Sequence, residues 1–146
     1  MKLAIIAAFL LTCARQSLPD VGIRSEITAL VTVVLTDYSS DACLSPAALM
    51  VPEMPVPHFT EAGLDAATAE AVVAGIARQT PHNWKSVLAD DTDDQGNCLS
   101  VSYPILYDGG EFAYVFVANG YGQADYLYRR VGSSWELYRM ISQSIH

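Results

Sequence analysis

The sequence predicts an α+β fold in which N-terminal helices pack on a C-terminal four-stranded antiparallel sheet in meander order. Three patterns predict this architecture. Between Ile27 and Tyr38, apolar residues recur at steps of three and four, as on the buried face of a helix. Residues 60–80 are rich in alanine, begin with acidic residues and end near Arg78, the polarity that a helix dipole favours. From Leu99 onward, branched and aromatic runs alternate with turn dipeptides, which is typical of hairpins.

The first helix is expected to begin near Ser25, which could cap it, with Glu26 in its first turn. The same stretch is rich in β-branched residues, so a strand remains an alternative. The helical spacing of the apolar positions favours the helix.

The next segment, residues 40–59, is predicted to be extended and to run over the surface. Its prolines forbid a long helix and a central strand, although one short edge strand near residues 49–51 is compatible with them. Residues 81–88 are predicted to form a short helical turn that begins at Pro81. That turn would place Trp84, Val87 and Leu88 on one side.

The sheet is expected to contain strands at residues 99–107, 111–119, 125–131 and 135–141. The turns between these strands are predicted at Asp108-Gly109-Gly110, Asn119-Gly120 and Gly132-Ser133-Ser134. The glycines of these turns are expected to adopt positive φ angles. Residues 111–119 carry apolar side chains at both parities. This strand is therefore predicted to be central and covered on both faces.

Residues 1–14 are predicted to be an export signal, leaving a single domain over residues 15–146. Lys2 precedes an apolar run at residues 3–11, and small residues allow cleavage after Ala14. The run is far shorter than the roughly 20 residues that a membrane-spanning helix needs, and no transmembrane segment is expected after it. We expect a periplasmic or secreted protein. A lipid anchor on Cys13 is the less favoured alternative.

Two cysteines, Cys43 and Cys98, remain after the leader and are expected to form a disulfide in an oxidising compartment. Two buried thiols are the alternative. The formal net charge of −8 argues against a nucleic-acid partner, because the chain lacks a basic surface for phosphates. A basic protein partner suits this charge better.

No cofactor, metal site or catalytic residue is assigned from the sequence. Residues 91–97 loosely resemble a calcium loop, but Ser102 stands where the bidentate glutamate should be, so calcium binding stays open beside a solvated acidic loop. His58, His82 and His146 lack zinc-site spacing and are interpreted as ordinary loop histidines. The chain also lacks a nucleophile elbow and a glycine-rich phosphate loop.

The strands carry the candidate site for a ligand or partner. On a half-buried sheet face, tyrosine rings pack against neighbours while their hydroxyls contact water. The tyrosines therefore fit two interpretations, a ligand-binding groove and an ordinary sheet face. The candidate residues are Tyr114, Tyr121, Tyr126, Tyr128 and Arg130.

The arginines of the strands admit two interpretations. We expect Arg129, Arg130 and Arg139 to pair across strands with Glu111, Asp125 or Glu136. Alternatively, the outward member of Arg129 and Arg130 binds an anionic partner group.

The second half of the chain resembles a group of small secreted bacterial proteins of uncharacterised function. The similarity rests on Ser102-Tyr-Pro104, Asp108-Gly109, Ala113-Tyr-Val115, Gly120-Tyr-Gly122, Tyr126-Leu-Tyr128, Gly132-Ser-Ser-Trp135 and the segment at residues 81–88. It implies the sheet architecture and no activity. The order of helices before a curved sheet is also similar to NTF2-like folds.

We therefore expect an exported, non-enzymatic protein-binding domain, such as an inhibitor or immunity protein. The alternative is an NTF2-like small pocket enzyme or ligand carrier, in which Asp125, Tyr114, Tyr126 and His82 would converge on a cavity. A third hypothesis is a structural envelope protein without a discrete site.

Overall fold

A computed structural model describes residues 20–39, 42–88, 92–93 and 98–145. The predicted leader with Cys13, most of the acidic loop at residues 91–97, and His146 lie outside the described residues.

The chain folds into helices followed by one antiparallel sheet, which confirms the predicted α+β class. The sheet has the order β1-β3-β4-β5, and β2 also pairs with β3. A 3-10 turn lies at Trp84–Ser86 before the sheet. The elements are α1 Asp20–Tyr38, α2 Val56–Thr60, α3 Ala66–Ala77, β1 Ser100–Val101, β2 Ile105–Tyr107, β3 Phe112–Asn119, β4 Gly122–Val131 and β5 Ser134–Ile145.

The predicted first strand is split into β1 and β2, which lie one after the other along β3. Pro104, between the two segments, has no N–H for a strand ladder. Ser102 bridges the break, because its N–H donates to Phe116 O at 2.8 Å and its Oγ accepts from Phe116 N–H at 2.9 Å. The meander order is otherwise as predicted.

β3 separates two apolar cores, as its two apolar parities predicted. Ala113, Val115 and Val117 pack toward α1, which defines the α1 face. Tyr114 and Phe116 pack toward α2 and α3, which defines the α2–α3 face. All five side chains are buried, so β3 is covered on both sides.

The predicted apolar stripe of α1 faces the sheet, and its members Ile27, Leu30, Val31, Val34 and Leu35 are buried, whereas its predicted last member, Tyr38, is 49% exposed. The prediction that Ser25 caps this helix is wrong, because α1 begins at Asp20 and Ser25 lies inside it. Threonine hydroxyls on the exposed side of α1 donate to the helix backbone. Thr32 Oγ1, for example, donates to Thr28 O at 2.8 Å.

The proline-rich segment is attached to the sheet by a disulfide and by short bridges. Cys43 and Cys98 are bonded, with Cα atoms 4.7 Å apart, which confirms the predicted pair. Such a bond fits the oxidising environment of exported proteins. Instead of an edge strand at residues 49–51, isolated parallel bridges join Leu44 to Leu99 and Leu49 to Ser102.

The extended conformation predicted up to residue 59 is wrong for α2. Pro55 is its N-cap residue and Pro57 is its second residue, positions where a missing N–H costs no helical hydrogen bond. The helix thereby fits among the prolines and buries Phe59.

α3 is confirmed, with Asp65 as its cap: the carboxylate accepts from Thr68 N–H at 2.7 Å. Trp84 is buried, and its Nε1–H donates to Val101 O at 3.0 Å. Asn83, rather than Pro81, caps this 3-10 turn. Val87 is exposed while Trp84 and Leu88 are buried, so the prediction that all three share one side is wrong.

None of the described helices combines the length and the apolar composition that a bilayer crossing requires.

Candidate functional site

The turn between β3 and β4 shapes one end of the α1 face. Asn119 Oδ1 accepts from the backbone N–H of Tyr121 at 2.9 Å and of Gly122 at 3.0 Å, which fixes the turn. A Cβ on Gly122 would lie 2.2 Å from Ser144 O, so β5 approaches too closely for any side chain there. The expected positive φ is found at Gly109, Gly110 and Gly132, but that expectation is wrong for the glycines of this turn.

A concave region lies between the end of α1 and this turn. It consists of two adjoining hollows of about 220 Å³ and about 270 Å³. We call it the tyrosine cleft; both hollows are lined by Tyr38, Leu99, Val117, Tyr126 and Gln143.

Three of the predicted tyrosines belong to this cleft. Tyr126 is half-buried and lines both hollows, and Tyr121 stands at the rim with 78% of its surface exposed. Tyr128 is buried at the inner end, where its hydroxyl donates to Asp37 Oδ2 at 3.3 Å. Tyr38, from the last turn of α1, accepts a hydrogen bond from Asn119 Nδ2. The helix and the turn are thereby joined across the cleft.

The cleft presents neutral aromatic rings beside a carboxylate. Burial, together with the Asp37 charge, raises the pKa of Tyr128 well above its ordinary value of 10.0. Burial also raises the pKa of Tyr126. Both hydroxyls are therefore protonated at neutral pH, and Asp37 is exposed. Aromatic faces and a carboxylate together suit a cationic group.

The structure does not bring the other two candidates, Tyr114 and Arg130, into the cleft. Tyr114 is fully buried on the α2–α3 face. Arg130 forms a partly buried ion pair with Glu26 of α1, so its predicted cross-strand pairing is wrong. Arg129 does pair across strands, with its Nη2 2.5 Å from Glu136 Oε1, as expected.

A second polar assembly surrounds Asp125, whose side chain is fully buried. Its Oδ2 accepts from the Tyr114 hydroxyl at 2.9 Å, and its Oδ1 accepts from the Ser142 hydroxyl at 2.6 Å. His58 Nε2 lies 2.8 Å from Oδ2. These contacts, which we call the Asp125 cluster, connect α2 with β3, β4 and β5.

The Asp125 cluster has the geometry of a structural cross-link. Ser142 donates to the carboxylate and not to a histidine, so the arrangement does not activate a nucleophile. Burial, then the Asp125 charge, raises the pKa of Tyr114, which keeps its hydroxyl a donor. The interpretation of His58 as an ordinary loop histidine is wrong, because it lies in α2 and contacts a buried carboxylate.

The groups expected to converge in a pocket enzyme are only partly together. Asp125 and Tyr114 are in contact, whereas Tyr126 lies on the opposite face of the sheet. His82 is exposed and stacks on Tyr103, with ring centroids 3.8 Å apart. Within the described parts of the chain, no group of three or more His, Cys, Asp or Glu residues could hold a metal ion.

Sequence reasoning missed Asp37, Tyr38 and Gln143 of the cleft. Asp37 and Tyr38 could have been found as the polar end of the α1 stripe, directed at the turn. Gln143 lies beyond the predicted end of the last strand, because β5 continues to Ile145.

Comparison of the chain with protein families, with curated proteins and with solved structures finds no match in any of the three. The resemblance to small secreted bacterial proteins and to NTF2-like folds therefore stays an expectation.

Proposed function

We propose that this protein is an exported, non-enzymatic binding domain of the inhibitor or immunity type, and that its tyrosine cleft receives a cationic side chain of a basic protein partner. The observation that carries the proposal is the meeting of Tyr38, Tyr121, Tyr126 and Asp37 around one concave region between α1 and the β3–β4 turn.

The chemistry of the cleft favours arginine or lysine. A guanidinium or ammonium group over a tyrosine ring gains about 0.5–2 kcal/mol, more where water is excluded. Asp37 adds an opposite charge, and Gln143, a residue with a polar side chain, lines both hollows. The net charge of −8 also speeds the approach of a basic partner at low ionic strength.

Export is supported by two separate features. The Cys43–Cys98 bond closes a loop of 55 residues, and such bonds persist in oxidising compartments. Residues 1–14 have the charge and apolar pattern of a cleaved leader. A periplasmic or secreted location is the proposed one, with a lipid anchor on Cys13 as the less favoured form.

The test measures the affinity of the oxidised protein for glycine–serine peptides that carry one arginine or, at the same position, one citrulline. Citrulline has nearly the shape of arginine without its charge. We expect the arginine peptide to bind at least about fivefold more tightly, equivalent to about 1 kcal/mol. Equal affinity of the two peptides would contradict the proposal.

Variants assign that binding to the cleft. Asp37→Asn and Tyr126→Leu should each weaken binding of the arginine peptide about fivefold. Glu136→Gln is the matched control, since it removes an exposed carboxylate of β5 outside the cleft and should leave affinity unchanged. The NTF2-like enzyme alternative has weaker support, because its four groups do not meet at one cavity.

A further inference from the structure

A separate pocket of about 210 Å³ lies on the α2–α3 face, below the loop that joins α2 to α3. We call it the Arg139 pocket; its walls include Thr68, Tyr107, Phe112, Leu127, Tyr138 and Arg139. It lies on the opposite side of the sheet from the tyrosine cleft. Binding in this pocket is therefore independent of the proposed function.

Among the described residues, Arg139 differs from its neighbouring arginines in having no acidic partner, so its predicted cross-strand ion pair is wrong. Arg129 pairs with Glu136 and Arg130 with Glu26, whereas in the described ranges no carboxylate lies within ion-pair distance of Arg139. Its Nη1–H donates to Ala62 O at 3.0 Å. A guanidinium has five N–H donors, so most of the fork remains available to a carboxylate.

The loop between α2 and α3 lies close against this guanidinium and restricts its position. Gly63 has a φ of +99°, and a Cβ there would lie 2.6 Å from Arg139 Nη1. The guanidinium also lies over the Tyr138 ring, 5.7 Å from its centroid. A fixed arginine loses less conformational entropy on binding an anion than a freely rotating one.

The remaining walls are aromatic and aliphatic. The rings of Tyr107 and Phe112 stack with centroids 5.5 Å apart, and Phe112 meets Tyr138 edge to face at 5.4 Å. Leu127 is buried behind them. Burial raises the pKa of Tyr107, so its hydroxyl is a hydrogen-bond donor at neutral pH.

Two carboxylates of the pocket limit the charge of an occupant. Asp65 is engaged at the start of α3, where it accepts from Thr68 N–H at 2.7 Å and from Thr68 Oγ1–H at 3.0 Å. Asp108 is exposed. With these charges nearby, a single carboxylate is favoured over a phosphate or a dicarboxylate.

We propose that the Arg139 pocket binds a monocarboxylate that carries an aromatic or aliphatic body, with the carboxylate on Arg139 and the body between Phe112, Leu127 and Tyr138. The volume is below the roughly 300–1,000 Å³ of sites for drug-sized ligands, so one ring or one terminal residue fills it. A free aryl carboxylate and the C-terminal carboxylate of a peptide share this chemistry.

The experiment titrates the oxidised protein with 3-phenylpropionate and with its uncharged amide, monitored by ¹H–¹⁵N spectra. We expect the acid to shift the resonances of Thr68, Leu127 and Arg139, and to bind at least about tenfold more tightly than the amide. Equal binding of acid and amide, or no saturable binding up to roughly 10 mM, would overturn the proposal.

Arg139→Gln should weaken binding of the acid about tenfold. Arg129→Gln is the matched control: its guanidinium also lies near the Tyr138 ring, at 5.4 Å, but it is paired with Glu136 and does not line the pocket. Folding of both variants is checked by unfolding in urea. An equal loss of affinity in the two variants would overturn the assignment to Arg139.

A second pair of ligands identifies the source of the carboxylate. A tetrapeptide ending in phenylalanine is compared with 3-phenylpropionate, and its C-terminal amide serves as the control. Tighter binding of the peptide acid indicates a protein terminus, and equal binding indicates a small acid. If 3-phenylpropionate binds and the arginine peptides do not, the proposal for the Arg139 pocket is supported and the proposed function of the tyrosine cleft is contradicted.

Discussion

The two faces of β3 are closed in different ways. On the α1 face, a single long helix contributes its buried stripe from Ile27 to Leu35, and the packing is almost entirely apolar. On the α2–α3 face, two shorter helices cover the sheet, and a buried carboxylate joins one of them to three strands. One face is held by a helix and a disulfide, the other by short helices and a polar cross-link.

The difference shows how each type of closure leaves open space. α1 ends at Tyr38, and the tyrosine cleft lies where the helix stops short of the β3–β4 turn. α2 and α3 are joined by a loop, and the Arg139 pocket lies beneath that loop. In both cases the concave region marks the end of a helix, where apolar packing gives way to polar side chains.

The largest expected effect is the loss of stability when the disulfide on the α1 face is removed. Cys43→Ser combined with Cys98→Ser should lower the free energy of unfolding by about 4 kcal/mol, because the bond closes a loop of 55 residues in the unfolded chain. Leu44 and Leu99, beside the cysteines, are buried on the α1 face, so that face should lose order first. Urea unfolding measures the loss. A cost below about 1 kcal/mol would show that the α1 face does not depend on the bond.

The next largest expected effect is the loss of stability when the Asp125 cluster on the α2–α3 face is disrupted. Asp125→Ala should lower the free energy of unfolding by about 3 kcal/mol, because it leaves the Tyr114 and Ser142 hydroxyls without their acceptor. Glu136→Ala, an exposed acidic residue on the same sheet, is the control and should cost less than about 0.5 kcal/mol. Similar losses in both variants would contradict the role given to the Asp125 cluster.

The smallest effect, counted per pH unit and per tyrosine, is the loss of stability that the buried tyrosines cause at alkaline pH. Burial raises the folded-state pKa of Tyr114 and of Tyr128 above the unfolded value of 10.0, so the unfolded chain releases protons first. The contribution of these tyrosines to stability should be constant below pH 10 and then fall by about 1.4 kcal/mol per pH unit for each of them. Urea unfolding at a series of pH values measures the slope.

Phenylalanine variants distinguish the two faces in that experiment. Tyr114→Phe removes one contribution from the α2–α3 face, where Tyr107 also has a raised pKa, and Tyr128→Phe removes one from the α1 face, where Tyr126 also has a raised pKa. Each variant should show a shallower alkaline slope than the parent protein. An unchanged slope in either variant would mean that the tyrosine concerned has the same pKa in the folded and the unfolded chain, which would contradict its raised pKa.

The sequence predicted what depends on local pattern. The two apolar parities of β3, the positive φ of Gly109, Gly110 and Gly132, and the stripe of α1 up to Leu35 each depend on residues close together in the chain, and the structure confirms them. The cysteine pair followed from number and compartment alone.

The Asp125 cluster could not be predicted in this way. It unites His58, Tyr114, Asp125 and Ser142 from separate elements, and nothing in the spacing of these residues indicates contact. Likewise, the sequence did not indicate α2, because its prolines are compatible with a first helical turn as well as with an extended segment. The tyrosine cleft depends on where α1 ends relative to a turn far along the chain.

The most direct test of the central claim is to map where the single-arginine peptide binds, using ¹H–¹⁵N spectra of the oxidised protein. We predict that the shifted resonances cluster at Tyr38, Asn119, Tyr126 and Gln143, around the cleft on the α1 face. Shifts confined to the opposite face, at residues such as Thr68 and Leu127, would contradict it, as would an identical map with the citrulline peptide.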